Sequence, residues 1–144
     1  MRKMSYMLVM LLIVLLGCST PAEEHPEVDE ESETFEGFTL DNYGRTVEIT
    51  EKPTSVLTLG PNVTELFVAL GLSDYVVGNS LNNHSRGPLP EYEAEYEAIP
   101  ELTYGSATRE AVISSGADFI YGIDWEFGEG GLDIEELETY GITT

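Results

Sequence analysis

The stretch "SVLTLGPNVTELFVALG", residues 55–71, decides the fold. Its first five residues are typical of a buried strand, which ends at Gly60 and Pro61. An apolar stripe with the helical spacing i, i+3, i+4 and i+7 follows at once: Val63, Leu66, Phe67 and Leu70. This helix opens at Pro61 or Asn62, and Gly71 ends it. "YVVG" at residues 75–78 adds a second strand, so the unit predicts a right-handed parallel crossover.

The rest of the chain continues this alternation. Residues 38–40 and 46–49 are short alternating runs around a turn in which Asn42 and Gly44 can adopt positive φ, so they predict a β-hairpin. Further on, the patterns predict three elements and the start of a fourth: a helix that Ser106 caps and that runs through Ser115, a parallel strand over 118–122, a helix over 133–140, and a strand from Ile142. Such alternation predicts an α/β fold, a Rossmann-like lobe with a mostly parallel central sheet flanked by helices and preceded by the hairpin.

A long polar connection over residues 79–105 interrupts this pattern. Loops of that length inside compact domains are usually functional or disordered. Within it, residues 92–97 alternate Glu with Tyr or Ala, and we interpret this acidic run as a solvated loop.

The charge of the chain excludes nucleic acid as a partner. The whole chain carries a formal charge of −21, and from Gly37 onward 19 acidic residues face four basic ones, a charge of −15. Such a surface repels the phosphate backbone of DNA and RNA.

No motif of a catalytic site is present in the sequence. It contains no glycine-rich phosphate loop, no Gly-x-Ser-x-Gly elbow, no His-Glu-x-x-His and no cluster of metal ligands at ligand spacing. We therefore expect neither an enzyme, nor a metal site, nor a covalently bound cofactor.

The single cysteine, Cys18, lies where an apolar run ends. Arg2 and Lys3 precede eleven apolar residues, 6–16, which are too few to span a bilayer comfortably and indicate a signal peptide over residues 1–17. "LLGC" at residues 15–18 resembles the lipobox of bacterial lipoproteins, in which the cysteine carries the lipid. The resemblance implies export and an anchor at Cys18 on the outer face of the cell membrane, since two or three acyl chains hold a protein there. The alternative is a free cysteine at the end of an ordinary signal.

The segment after the anchor, residues 18–36, is predicted to be a disordered tether. Eight of the fourteen residues 23–36 are acidic, and Pro21 and Pro26 interrupt any helix. Such a segment repels itself and cannot bury enough apolar surface to fold. A spacer that lifts a domain off the membrane is the simpler interpretation, and cation binding is the alternative.

Several stretches of the domain resemble one family. They are "LDNYGRTVEI" at 40–49, "KPTSVLTLGPNVTELFVALG" at 52–71, "YVVG" at 75–78 and "REAVISSGADFIY" at 109–121. Together they look like the iron–siderophore and cobalamin class of periplasmic (solute) binding proteins, the receptors of ATP-driven ABC importers. Pro-x-x-Thr-Glu-Leu at 61–66 is the most specific element, and the resemblance runs from about Phe38 to the last residue.

The resemblance implies a fold, a ligand and partners. The family has two α/β lobes joined by a long helix, with the ligand held between them, so we expect residues 37–144 to be an N-terminal lobe, truncated or encoded without its mate. The implied ligand is a ferric siderophore, alternatively a corrinoid or haem. The implied partners are an ABC permease and its ATPase. A hypothesis of another class is a non-transport surface lipoprotein in which a single lobe serves for interaction.

Polar candidates for ligand contact follow the first two strands of the crossover. Asn62 lies at the start of the first helix, where it can contact a ligand or cap the helix. Asn82, His84 and Arg86 follow the second strand, at a loop that touches ligand in the family, often through an aromatic side chain that this chain lacks there. His84 can ligate a metal, although a lone histidine is more often a surface or hydrogen-bonded residue.

Two aromatic residues and one glutamate take their candidate roles from the resemblance. Tyr104 and Trp125 match positions where the family places ligand-stacking aromatics, and flat rings stack well on large chelates. For Trp125 the alternative is packing under its own glycine-rich loop. Glu110 matches the glutamate with which the first lobe docks on the permease; its alternative is a plain solvent-facing helix residue.

Overall fold

A parallel sheet of four strands carries the fold, with a separate antiparallel hairpin before it. The computed structural model describes residues 35–82 and 87–144. The predicted signal peptide, Cys18, most of the predicted tether, His84 and Arg86 lie outside the described residues. The elements in chain order are β1 (Phe38–Asn42), β2 (Arg45–Ile49), β3 (Val56–Leu59), α1 (Pro61–Ala69), β4 (Val76–Ser80), α2 (Glu93–Ala98), β5 (Glu101–Thr103), α3 (Arg109–Ser115), β6 (Phe119–Gly122) and α4 (Ile134–Thr139).

The predicted α/β architecture is confirmed. The strand order is β5-β4-β3-β6, and every neighbouring pair is parallel. The strand expected from Ile142 is present, within the described residues, as a parallel bridge between Phe119 and Thr143 beside β6. None of the four short helices in the described ranges has the length or hydropathy needed to span a bilayer.

The hairpin turns more tightly than expected. β1 and β2 pair from Phe38–Ile49 to Asn42–Arg45, which leaves a turn of two residues, Tyr43 and Gly44. Both have positive φ, 56° and 77°, as a type I′ turn requires. The positive φ that we expected at Asn42 therefore falls on Tyr43, since Asn42 is still paired with Arg45.

Helix α1 starts as predicted but buries a different face. Its N-cap is Gly60, so Asn62 is a helical residue and does not cap the helix. Leu66 and Leu70 of the predicted apolar stripe are exposed, whereas Thr64 is fully buried. The Thr64 hydroxyl donates to the Gly60 carbonyl at 3.0 Å and lies 2.9 Å from the Thr58 hydroxyl oxygen. These hydrogen bonds satisfy the Thr64 hydroxyl between α1 and the sheet, so the face of α1 that carries Thr64 packs on the sheet.

The long polar connection contains an element pair that the sequence did not reveal. Residues 92–97 are mostly helix α2, so our interpretation of them as a solvated loop was wrong, and β5 follows directly. Tyr96 and Ile99 are buried and pack with Val68 and Val76 on one face of the sheet. A six-residue helix is marginal alone, so this tertiary packing, invisible in an acidic local pattern, stabilises it.

The second core lies on the opposite face of the sheet. It joins β3 and β6 to α3 and α4 through Leu57, Leu59, Val112, Ile120 and Leu137. Helix α3 begins at Arg109, two residues later than predicted, because Thr108 and not Ser106 caps it: the Thr108 hydroxyl accepts from the Ala111 N–H. Helices thus cover both faces of the sheet, and the loops at its ends are left to form sites.

Asp118 holds the amino end of β3 against the amino end of β6. Its carboxylate accepts hydrogen bonds from the Thr54 N–H (2.9 Å), the Thr54 hydroxyl (2.8 Å) and the Ser55 N–H (3.0 Å). Burial raises the pKa of the Asp118 carboxyl, but these hydrogen bonds outweigh it and hold the pKa below its ordinary value. The ionised form is therefore the one that stabilises the fold.

We expect Asp118→Asn to lower the free energy of unfolding by about 1–2 kcal/mol at pH 7, because an amide cannot accept all three bonds. A depressed carboxyl pKa contributes stability above the unfolded value of about 3.9, and that stability is lost as the pH falls through the folded pKa. The gap between wild type and variant should thus shrink below about pH 4 in urea unfolding followed by circular dichroism. Asp74→Asn, at an exposed carboxylate, is the control; a gap that does not change with pH would contradict this role.

Candidate ligand-binding site

The loops that follow all four parallel strands meet at one edge of the sheet. The Gly60 N–H, after β3, donates to the Ser80 carbonyl at 3.0 Å. The Leu81 N–H, after β4, donates to the Gly105 carbonyl, after β5, at 2.8 Å. A Cβ on Gly60 would lie 3.6 Å from Ile123, after β6. Carboxyl ends of parallel strands are where ligands of open α/β sheets bind.

Backbone geometry at this edge is unusual at one point. Leu81 is buried and has a φ of 60°, a conformation that costs a residue other than glycine of the order of 1 kcal/mol or more. Its hydrogen bond to Gly105 holds it there. Directly before it, Asn79 Oδ1 and Ser80 Oγ are buried and have no hydrogen-bond partner among the described residues. Strain and unpartnered polar atoms of this kind gather at functional sites more often than elsewhere.

Trp125 stands out of this edge between two depressions. It lies in a short 3₁₀ turn, Asp124–Glu126, directly after β6, and 69% of it is exposed. A depression of about 590 Å³ separates it from the hairpin turn at Tyr43, and one of about 320 Å³ separates it from the start of α3. The alternative, packing of Trp125 under its own glycine-rich loop, does not fit this exposure. An indole so placed can stack on a flat ligand.

Two other predicted contact residues, Tyr104 and Asn62, lie outside the depressions next to Trp125. Tyr104, 65% exposed, follows β5 and lines neither depression next to Trp125. Asn62 is exposed in the first turn of α1 and also lies outside both depressions. The structure thus brings Trp125, Tyr104 and Asn62 to the same edge of the sheet without joining them in one pocket.

Asn82 is engaged within the protein. Its Oδ1 accepts from the Tyr96 hydroxyl at 2.6 Å, and its Nδ2 donates to Glu101 at 2.8 Å. Burial raises the pKa of the Tyr96 hydroxyl, so the phenol stays protonated and donates this bond. Asn82 therefore connects α2 and β5 to the end of β4, a role that the sequence did not suggest.

Sequence reasoning missed Glu126. Only 3% of it is exposed, and its carboxylate accepts from the Ser106 hydroxyl at 2.9 Å and from the Ala107 N–H at 3.2 Å. In a chain so rich in acidic residues nothing separates Glu126 from its neighbours Glu129 and Asp133. The sequence therefore held no signal that could have found it.

The charges around Trp125 are balanced or negative. Arg45 binds Glu138 at 2.9 Å and the Thr144 carbonyl at 2.6 Å, and Arg109 binds Glu136 at 2.6 Å. Lys52, the third basic residue of the described ranges, lies over the ring of Tyr75 at the amino end of β4. Within the described residues, no group of three or more His, Cys, Asp or Glu side chains is arranged to hold a metal ion.

Comparison with known proteins identifies a relative of this chain. The uncharacterized ABC transporter substrate-binding lipoprotein YvrC of Bacillus subtilis strain 168 is 27% identical over 137 residues, which are 94% of this chain and 41% of that protein. The chain is a homologue of that substrate-binding lipoprotein. No family model matches the chain.

Solved structures agree with this relationship. A periplasmic binding protein from Veillonella parvula DSM 2008 matches with a TM-score of 0.63 and 18% identity, over 74% of this chain and 36% of that one. At this low identity the match shows a shared fold alone. An ABC-type Fe³⁺-hydroxamate transport system from Saccharomonospora viridis DSM 43017 matches with a TM-score of 0.52 and 26% identity, over 73% of this chain and 37% of that one.

The matches also show how much of each relative's length the chain covers. It spans about two fifths of the length of each, 36% to 41%. These relatives are substrate-binding proteins and not enzymes, in agreement with the expectation from the sequence that the chain is not an enzyme.

Proposed function

We propose that this chain is the N-terminal lobe of a lipid-anchored, extracytoplasmic substrate-binding component of an ABC importer. Its ligand is a ferric siderophore, which it delivers to the permease and ATPase. The observation that carries the proposal is Trp125, a large exposed aromatic between two depressions at the edge where the four strand-end loops meet. The homology to a substrate-binding lipoprotein supports the class of function.

The charge of the lobe favours one kind of iron chelate. Hydroxamate groups neutralise Fe³⁺ and leave a complex with little net charge, whereas a tris-catecholate complex is strongly anionic. A domain with a formal charge of −15, whose described cations near Trp125 are already paired, repels the second kind and not the first. The Fe³⁺-hydroxamate system among the structural neighbours points the same way.

The test uses Trp125, which is the only tryptophan of the chain. We expect a ferric hydroxamate to quench its fluorescence saturably in the full chain, purified as Cys18→Ser so that it carries no lipid. Trp125→Ala should weaken the chelate's affinity by about 3- to 10-fold, because it removes one aromatic stacking contact. Calorimetry measures the affinity of both forms.

Tyr75→Ala is the matched control, because Tyr75 lies at the other end of β4. It should leave the affinity unchanged. Titrations with cobalamin and haem decide between the ligands that the sequence left open. Saturable binding of none of the three would refute the assignment of this edge as a ligand site.

Delivery to a permease needs a docking surface, which we assign to Glu110. Glu110 is exposed in the first turn of α3, next to the edge that carries Trp125, so its carboxylate can reach a basic pocket on a partner. A charged pair of this kind orients and steers docking.

We expect Glu110→Gln to slow uptake of radiolabelled ferric chelate by cells several-fold, because a docking contact is lost, while the affinity of the purified protein for the chelate stays the same. Glu48→Gln, at an exposed glutamate of the hairpin, is the matched control. If uptake and affinity fell together, or if neither changed, Glu110 would have no docking role.

The anchor is tested separately at Cys18. We expect Cys18→Ser to move the protein from the membrane fraction to the soluble exported fraction, because diacylglycerol on the thiol supplies the acyl chains that hold it. Immunoblots of fractionated cells measure the shift, and a known integral membrane protein serves as the marker. A Cys18→Ser variant that stayed with the membranes would disprove lipid anchoring at this residue.

A further inference from the structure

A buried carboxylate links two of the loops at the candidate site. Glu126 belongs to the loop between β6 and α4, and both of its carboxylate oxygens accept from the loop between β5 and α3. One bond comes from the Ser106 hydroxyl and the other from the Ala107 N–H. A carboxylate removed from water is costly unless it is hydrogen-bonded in this way.

The main chain of Glu126 is held as firmly as its side chain. Its N–H donates to the Ile123 carbonyl at 3.1 Å, and its carbonyl accepts from the Leu132 N–H at 2.8 Å. A Cβ on Gly131 would lie 2.5 Å from the Glu126 carbonyl oxygen, so only glycine fits there. The loop between β6 and α4 therefore folds back on Glu126 and fixes the direction of its side chain.

The two loops that Glu126 connects carry the two candidate stacking residues. Trp125 immediately precedes Glu126, and Tyr104 lies two residues before Ser106. Neither aromatic side chain is buried, so its place at the edge depends on the main chain that carries it.

We propose that Glu126 is the positioning residue of the candidate site: its carboxylate, bound to Ser106 and Ala107, holds the loop that carries Tyr104 and the loop that carries Trp125 in one fixed relative position. This inference rests on the proposed function, since it names the residue that prepares that same site for its ligand. A preformed arrangement spares the ligand the cost of ordering two loops on binding.

The experiment compares Glu126→Gln with Asp118→Asn in the full chain, as the Cys18→Ser form. Both variants replace a carboxylate that accepts from a backbone N–H and a hydroxyl, but Asp118 lies at the opposite end of β6. Three quantities are measured in each: the melting temperature, the hydrogen exchange of the Ala107 amide, and the affinity for a ferric hydroxamate.

We expect both variants to lower the melting temperature. Only Glu126→Gln should speed exchange at Ala107 and weaken chelate affinity by about tenfold, which corresponds to about 1.4 kcal/mol. Ser106→Ala should reproduce part of this loss, and the double variant should lose less than the sum, because both changes break the same link.

Two results would overturn the proposal. One is a loss of affinity that follows the melting temperature equally in both variants, which is the mark of a purely structural residue. The other is unchanged exchange at Ala107 in Glu126→Gln. If the wild type binds no chelate, the proposed function fails, and the exchange at Ala107 still decides whether Glu126 holds the two loops together.

Discussion

Burial of β3 on both of its faces is the constraint on which the rest of the structure depends. Leu57 and Leu59 project into the core shared with α3 and α4, while Thr58 projects toward α1. Two strands pair with it, β4 on one side and β6 on the other, both in parallel. A strand enclosed in this way must be followed by a crossover helix, and the tight turn at Gly60 brings that helix onto the sheet.

The same constraint creates the candidate site. Because all four strands run in one direction, their following loops gather at one edge, and the opposite edge is closed by Asp118 and its bonds to Thr54 and Ser55. Carboxylates have different tasks at the two edges. Asp118 fastens two strand beginnings, whereas Glu126 connects two loops that carry exposed aromatic rings. The exposed rings and the strained Leu81 lie at the carboxyl edge, as expected when stability is concentrated at one end of a sheet and function at the other.

Particular residues show where sequence reasoning succeeded and where it failed. The crossover around β3 and α1 was predictable, because a buried strand, a Pro-initiated helix and a second strand follow one another within a short stretch. Helix α2 was not predictable, because its stability comes from Tyr96 and Ile99 packing on Val68, which is distant in sequence. The buried face of α1 was predicted wrongly for a related reason. A hydropathy pattern expects Thr64 to face solvent, but its contact with Thr58 satisfies both hydroxyls inside the protein.

The sequence by itself determined the α/β class, the crossover around β3 and α1, the strong net negative charge and the family resemblance, since these depend on local periodicity, composition and short motifs. Only the tertiary structure decided which side chains occupy the site. It exposes Trp125 between two depressions, engages both ends of the Asn82 amide, and buries Glu126 against a loop some twenty residues away in sequence. Burial and hydrogen-bond partners arise from contacts between distant segments, so a local pattern carries no record of them.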